Sequence, residues 1–221
     1  MSECNPAVKD ETFKNIKGVI FDCDGVLFDS RDVNIRFYNQ IRHHFYLPDM
    51  TPEQEEFVHM HSVQDSLEHI LPQGFEKELP RLREKLDYTQ LLDYMRMEEG
   101  LVDLLELLLE NRFKIAINTN RTNTMGLLLS RFDLERFFNP VVTAADVQRP
   151  KPHPESLFKI LDHWSLEPGD VVFIGDSVVD QSTAQGAEVP FWAYKNQELE
   201  GRMLIPDFRV LREYFNCNLK S

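Results

Sequence analysis

Short apolar, β-branched runs that end in polar clusters, with helical patterns between them, constrain this chain more than any other feature. Gly18-Val19-Ile20-Phe21 runs into Asp22-Cys23-Asp24-Gly25, Phe113–Ile117 into Asn118-Thr119-Asn120, and Val171–Ile174 into Gly175-Asp176-Ser177. Pro140–Thr143 and Val189–Ala193 read as two further strands. An apolar run bounded by turn residues is the pattern of a strand buried on both faces. Leu101–Asn111, Thr122–Phe132, Pro154–Trp164 and Val178–Gly186 carry helical patterns; the third opens on a proline and the last closes on a glycine. Strands that alternate with helices predict a parallel sheet covered on both faces, an α/β core of three layers.

The stretch after the first strand breaks this alternation. From Ser30 to Glu99 no strand is evident, and Ser30–Phe45, Thr51–Leu71 and Glu76–Met97 read as helices punctuated by Pro48, Pro52 and Pro72. The predicted organisation is therefore a core of residues 1–29 and 99–221 with an all-helical cap inserted over 30–98. An insertion of about 70 residues is near the lower size at which a segment holds its own small core.

With 221 residues and a net charge of -13, the chain would repel nucleic acid and anionic membrane, and its Lys and Arg form no basic patch. Cys4, Cys23 and Cys217 show neither zinc spacing nor a disulfide framework, so reduced thiols are expected. No signal-type apolar stretch precedes Lys17, and no run is long enough to span a bilayer. The expectation is a soluble cytoplasmic protein, with monomer and homodimer equally compatible.

In a parallel sheet, ligands bind beyond the carboxyl ends of the strands. Asp22 and Asp24 follow the first strand, Thr119 and Asn120 the second, and Asp176 and Ser177 the fourth, with Asp180 one helical turn on. Lys151 lies in Arg149–Pro154, a stretch too rich in proline for regular structure. Four carboxylates converging on one crevice cannot all stay ionised without compensation. An oxygen-only set with room for water and phosphate oxygens suits Mg2+. One carboxylate can then attack an electrophile while a second, two residues away, manages the proton of the leaving group. Lys151 and Thr119 would hold the remaining oxygens of a phosphoryl group. Such an assembly also explains how so acidic a chain can bind an anion.

Phe21–Ser30 resembles the first signature of the haloacid dehalogenase-like hydrolase superfamily. Ile117–Asn120 resembles the second, Lys151–Pro154 the third and Ile174–Asp180 the fourth, all in the family's order. The helical insertion resembles that of the phosphoglycolate phosphatase and β-phosphoglucomutase-like branch. The resemblance implies a Rossmann-like core. It also implies Asp22 as the nucleophile of an aspartyl-phosphate and Asp24 as general acid and then base, its backbone carbonyl also binding Mg2+. Thr119 and Lys151 would bind phosphate, with Asn120 as helper. Asp176 would bind Mg2+, and Asp180 would either bind it or fix Lys151. The implied partner is a small phosphorylated metabolite.

Each residue also has a plainer reading. Asp22 and Asp24 can shape a turn, Thr119 and Asn120 can cap a helix, Asp176 and Ser177 can form an N-cap, and Asp180 can be a surface residue. His153 reads as structural, Cys23 as a small buried filler whose thiol could sense oxidants, and Arg121 as a candidate substrate contact. His59, His61, Gln64 and Ser66 read as a solvated face, with a stretch facing the substrate as the alternative. Arg31, Arg36, Arg42 and Arg96 stay ambiguous. Adjacent His43 and His44 cannot share a helix face. Phosphatase action is the leading function, with a sugar-phosphate mutase or a silent binding protein on the same fold as alternatives. The family resemblance also implies that an acid at Asp24 argues against carbon-halogen and carbon-phosphorus cleavage, since relatives with those activities generally lack one there.

Overall fold

The structure, a computed structural model, describes residues 13, 15–60, 63–79, 82, 88–122 and 124–219. The chain divides into two compact units, Met1–Phe28 with Met97–Ser221, and Asp29–Arg96. The first is built on a parallel sheet of β1 (Gly18–Phe21), β2 (Lys114–Asn118), β3 (Val141–Val142), β4 (Val171–Gly175), β5 (Phe191–Tyr194) and β6 (Met203–Ile205). The strand order is β3-β2-β1-β4-β5-β6. Connections therefore run in opposite directions on the two sides of β1, and such a switch point opens a crevice at the carboxyl edge. Register decides what meets there. Phe21 lies opposite Ile117 on one side and Ile174 on the other, so β1, β2 and β4 end level. The strand β6 was not foreseen, because Met203-Leu204-Ile205 is too short to show a period.

The Asp29–Arg96 unit holds α1 (Arg31–His44), α2 (Pro52–Met60) and α3 (Val63–Ile70). Tyr38, Ile41, Val58, Leu67, Ile70 and Phe75 form its core. The helix expected over Glu76–Met97 is not continuous: the described residues hold 3-10 segments at Phe75–Lys77 and Tyr88–Tyr94 and a short strand at Arg96–Met97. Pro80, inside the expected helix, lacks the N–H that a helix interior requires. Arg42 is buried, donating to the carbonyls of Pro48 at 2.8 Å and Ile70 at 2.6 Å, so its role is structural. Arg36 stacks 3.7 Å above the Tyr94 ring, and Arg31 pairs with Glu56 in solvent. His43 pairs with Asp49 and His44 with Glu78, each in its own direction. Ser66 is fully buried, contrary to the solvated face expected for it, because α3 turns it inward beside Leu67. His61 and the side chains of His59 and Gln64 lie outside the described residues.

Back in the first unit, α4 (Leu101–Glu110), α5 (Met125–Arg131), α6 (Glu155–Trp164), α7 (Val178–Gly186) and α8 (Phe208–Leu219) flank the sheet. Alternation along the strands divides the core between the two faces. Ile20, Ala116 and Phe173 pack with Leu157, Ile160 and Trp164 of α6 and Ala184 of α7. On the other face the Phe21 ring meets Phe138 and Phe208, and Trp192 meets Phe215. Each fully buried Ile, Leu or Phe side chain among these contributes about 1.5–3 kcal/mol of transfer free energy, which holds the strand ends in fixed positions. Cys23 is free and buried. No helix among the described residues is long and apolar enough to cross a membrane.

Candidate active site

The carboxyl edge of β1 continues into a tight loop. Asp22 N–H still donates to Ile174 O at 2.9 Å, and then Leu27 N–H bonds Cys23 O and Gly25 N–H bonds Phe28 O. Gly25 sits at φ +75°, a conformation that disfavours any Cβ, and a Cβ there would lie 1.9 Å from Asp176 Oδ2. The loop after β1 and the end of β4 thus approach more closely than any residue but glycine allows. A Cβ at Gly175 would likewise lie 2.4 Å from the Asp180 Cβ.

These approaches bring together Asp22, Asp176 and Asp180, with one carboxylate oxygen of each within 4.8 Å of the others. Lys151 joins them: its ammonium donates to Asp180 Oδ1 at 2.6 Å and lies 2.8 Å from Asp22 Oδ1. Asp180 is fully buried, not a surface helix residue. Its Oδ2 accepts from the Ser177 hydroxyl at 2.6 Å and backbone N–H at 3.2 Å, while its own N–H donates to Ser177 Oγ. This reciprocal cap starts α7 and fixes Asp180 beneath Lys151.

Thr119 is buried, its N–H donates to Val142 O, and its Oγ1 accepts the Arg121 N–H at 3.1 Å. The Thr119 hydroxyl still has its proton to donate. Asn120 is exposed, and its amide donates to Lys151 O at 3.0 Å, tying the loop after β2 to the lysine loop. His153 Nδ1 accepts the Glu155 N–H, a structural contact at the start of α6. Asp24 stands apart from the buried cluster. Both of its oxygens accept from Arg121, Oδ2 from Nε at 2.7 Å and Oδ1 from Nη2 at 2.5 Å. That ion pair, and the Asn196 amide donating to Asp176 O at 2.9 Å, had no sequence signal. Ser177 did: Ser-x-x-Asp before a helix is a capping pattern.

Electrostatics match this geometry. Burial, then Asp180, pushes the Asp22 carboxyl well above the usual carboxylate range despite Lys151. Burial and Asp180 likewise push Asp176 up to about 7. Burial alone would lower Lys151, but Asp180 and Asp22 more than offset it and hold the ammonium protonated. Burial, then Asp24, pushes the Cys23 thiol up, so it is an inert filler rather than a reactive group. The cluster carries more negative charge than Lys151 offsets, and every donor in it is oxygen. That set fits a hard divalent cation such as Mg2+.

Residues 19–194 match the family model described as haloacid dehalogenase-like hydrolase. The chain belongs to this family. A crystal structure of a HAD-superfamily hydrolase, subfamily IA, variant 1 from Geobacter sulfurreducens is similar to it. That match has 36% identity and a TM-score of 0.77, covering 92% of this chain and 97% of the other. Pyrophosphatase PpaX of Anoxybacillus flavithermus is 29% identical over 74% of this chain and 76% of its own length. A phosphorylated carbohydrates phosphatase of Thermotoga maritima is 27% identical over 79% of this chain and 82% of its own. Among haloacid dehalogenase-like hydrolases, then, this chain combines a buried Asp22–Lys151–Asp180 chain of contacts with an arginine-held Asp24.

Proposed function

We propose that the chain is a magnesium-dependent phosphatase that acts on a small phosphorylated metabolite through an aspartyl-phosphate on Asp22. The observation that carries the reading is the Lys151 ammonium bridging Asp22 and Asp180 at 2.8 and 2.6 Å beside Asp176. Asp22 and Asp176 would hold Mg2+ through their carboxylates and Asp24 through its backbone carbonyl. Asp180, with one oxygen on Lys151 and the other on Ser177, is better placed to fix the lysine. Bound Mg2+ supplies charge compensation and polarises the phosphoryl oxygens.

Lys151 occupies Asp22 Oδ1 and leaves Oδ2 to attack. In the first step Asp22 Oδ2 forms a bond to phosphorus as the ester oxygen departs, and Asp24 gives that oxygen its proton. In the second, water attacks the phosphorus, Asp24 takes the proton of the water, and phosphate leaves with Asp22 regenerated. Lys151 and the Thr119 hydroxyl neutralise the equatorial oxygens. Asn120 acts indirectly, by holding the Lys151 loop. The catalytic core would be residues 1–29 and 99–221, with the helical insertion 30–98 selecting among metabolites in the cytoplasm. The pyrophosphatase relatives support inorganic pyrophosphate as one substrate to test.

The test uses pure protein, p-nitrophenyl phosphate and added Mg2+. Chelation should bring release to background and Mg2+ should restore it. Asp22→Asn, folded by circular dichroism, should lose on the order of 10³-fold or more in kcat. A wild-type rate in Asp22→Asn would sink the reading.

A further inference from the structure

Asp176 leans on a residue to which the proposed chemistry gives no role. It lies one residue past the last registered pair of β4 and β5, Gly175 opposite Ala193. Where strand pairing ends, the side-chain amide of Asn196 donates to the Asp176 carbonyl at 2.9 Å. The other end of that amide is engaged as well, Asn196 Oδ1 accepting the Glu198 N–H at 3.0 Å. With its oxygen turned to Glu198, the amide presents its nitrogen to Asp176. The segment that carries Asn196 is itself held. Lys195 N–H bonds Ile205 O at 2.8 Å, at the end of β6. The Lys195 ammonium at 2.6 Å and the buried Tyr194 hydroxyl at 3.1 Å both donate to Glu98 Oε2. Glu98 N–H in turn bonds Leu27 O at 3.0 Å, in the loop after β1 that bears Asp22 and Asp24. Asn196 therefore ties Asp176 to a frame shared with that loop. The Asp176 carboxylate has little latitude. A Cβ on Gly25 would lie 1.9 Å from its Oδ2, and one of its oxygens lies within 4.8 Å of one each from Asp22 and Asp180. Carboxylates gathered at such spacing repel until a cation compensates them. Before a cation binds, repulsion favours an Asp176 swung outward, and a tethered main chain limits that swing.

We infer that Asn196 is a positioning residue for the divalent cation: its amide holds the Asp176 main chain so that the carboxylate stays in ligand position while the site is metal-free. The inference rests on Asp176 as a cation ligand, as in the phosphatase reading above. Partners that orient a metal ligand in this way contribute roughly 10- to 100-fold to metal affinity.

The experiment titrates Mg2+ alone into wild type, Asn196→Ala and Asn196→Asp by calorimetry at constant ionic strength. Asn196→Asp keeps the acceptor for Glu198 and removes the donor to Asp176, while its added negative charge by itself attracts a cation. Both variants should nevertheless bind Mg2+ roughly 10- to 100-fold more weakly than wild type. Turnover of p-nitrophenyl phosphate should need correspondingly more Mg2+, with kcat extrapolated to saturating Mg2+ within about threefold of wild type. With chelator present, Tm should fall by no more than about 6 °C, as for a single lost hydrogen bond. Wild-type Mg2+ affinity in Asn196→Asp would overturn the inference even if Asn196→Ala binds weakly, because the bond to Glu198 would then be the one that matters. So would wild-type affinity with kcat lost, or loss of the fold in both variants, since either makes the amide a support of the loop and not of the cation. If wild type itself binds no Mg2+, the phosphatase reading fails and takes this inference with it. Mg2+ binding by wild type and both variants alike removes the inference alone.

Discussion

Replacing Lys151 with methionine tests the electrostatic account of the cluster through stability alone. The lysine side chain is 3% exposed, and its partners Asp22 and Asp180 are 10% and 0% exposed. Methionine keeps most of the volume but leaves two buried carboxylates without their shared cation. Removing one partner of a buried ion pair costs about 3–5 kcal/mol. For a chain of this size that is a fall of roughly 6–20 °C in Tm. The measurement is thermal or urea unfolding with chelator present, since a divalent cation would otherwise replace the lost charge. Sign follows from the Asp22 carboxyl, which burial already holds above its unfolded range. An acid raised in the folded state costs stability above its folded pKa and costs nothing below its unfolded one. The loss in Lys151→Met should therefore be larger at pH 8 than at pH 5. Adding Asp180→Asn to Lys151→Met removes one of the stranded charges and should recover about 1 kcal/mol or more, read as the coupling in a double-mutant cycle. A variant within about 1 kcal/mol of wild type, with no recovery in the double mutant, would refute the claim that Lys151 compensates both acids.

Two further substitutions probe neighbouring features. Gly25→Ala forces a Cβ into φ +75° and against Asp176 Oδ2. It should lose about 2 kcal/mol or more in unfolding free energy together with Mg2+-dependent turnover; an unchanged Tm with full activity would show that the loop has room to yield. Asp24→Ala should slow alkyl phosphates more than aryl phosphates, because a better leaving group needs less protonation. Equal losses in kcat for the two classes would argue against an acid at that position.

The parts of this molecule that could be read from sequence are those set by local pattern. Val171–Ile174 and Gly18–Phe21 announce themselves as buried strands because every residue in them is apolar, and the structure buries each one. Once both are parallel neighbours, the polar residues after them must share one edge, so the nearness of Asp22 to Asp176 follows from topology. The weaker patterns misled. Glu76–Met97 reads as one helix because its polar and apolar residues alternate loosely, yet a proline lies within it. The three-residue strand at Met203–Ile205 owes its state to pairing with β5, which sequence alone does not display. The burial of Asp180 was also hidden, although Ser177 three residues earlier carried the signal of a cap. Least legible was the Arg121–Asp24 contact, which joins residues 97 positions apart through side chains alone.

That contact also bears on how charge is divided in the site. In the described ion pairs two cations are shared among three of the four carboxylates, and the sharing is unequal. Lys151 is buried deepest and holds Asp22 and Asp180 at once, so it cannot follow either acid if one moves. Arg121 grips Asp24 at the more exposed side, where the Asp24 side chain is 33% exposed. An attacking carboxylate benefits from a fixed position, because small displacements of the reacting atoms are costly in rate. A group that delivers and later accepts a proton must instead disengage and return. The rigid pairing falls on Asp22 and the exchangeable pairing on Asp24, the division of roles that two-step phosphoryl transfer would require of the two acids. A site in which both acids were equally fixed would lack the second motion, and one in which both were loose would lack the first. The burial of the two acids, 10% exposed for Asp22 against 33% for Asp24, more than their number, is what separates them.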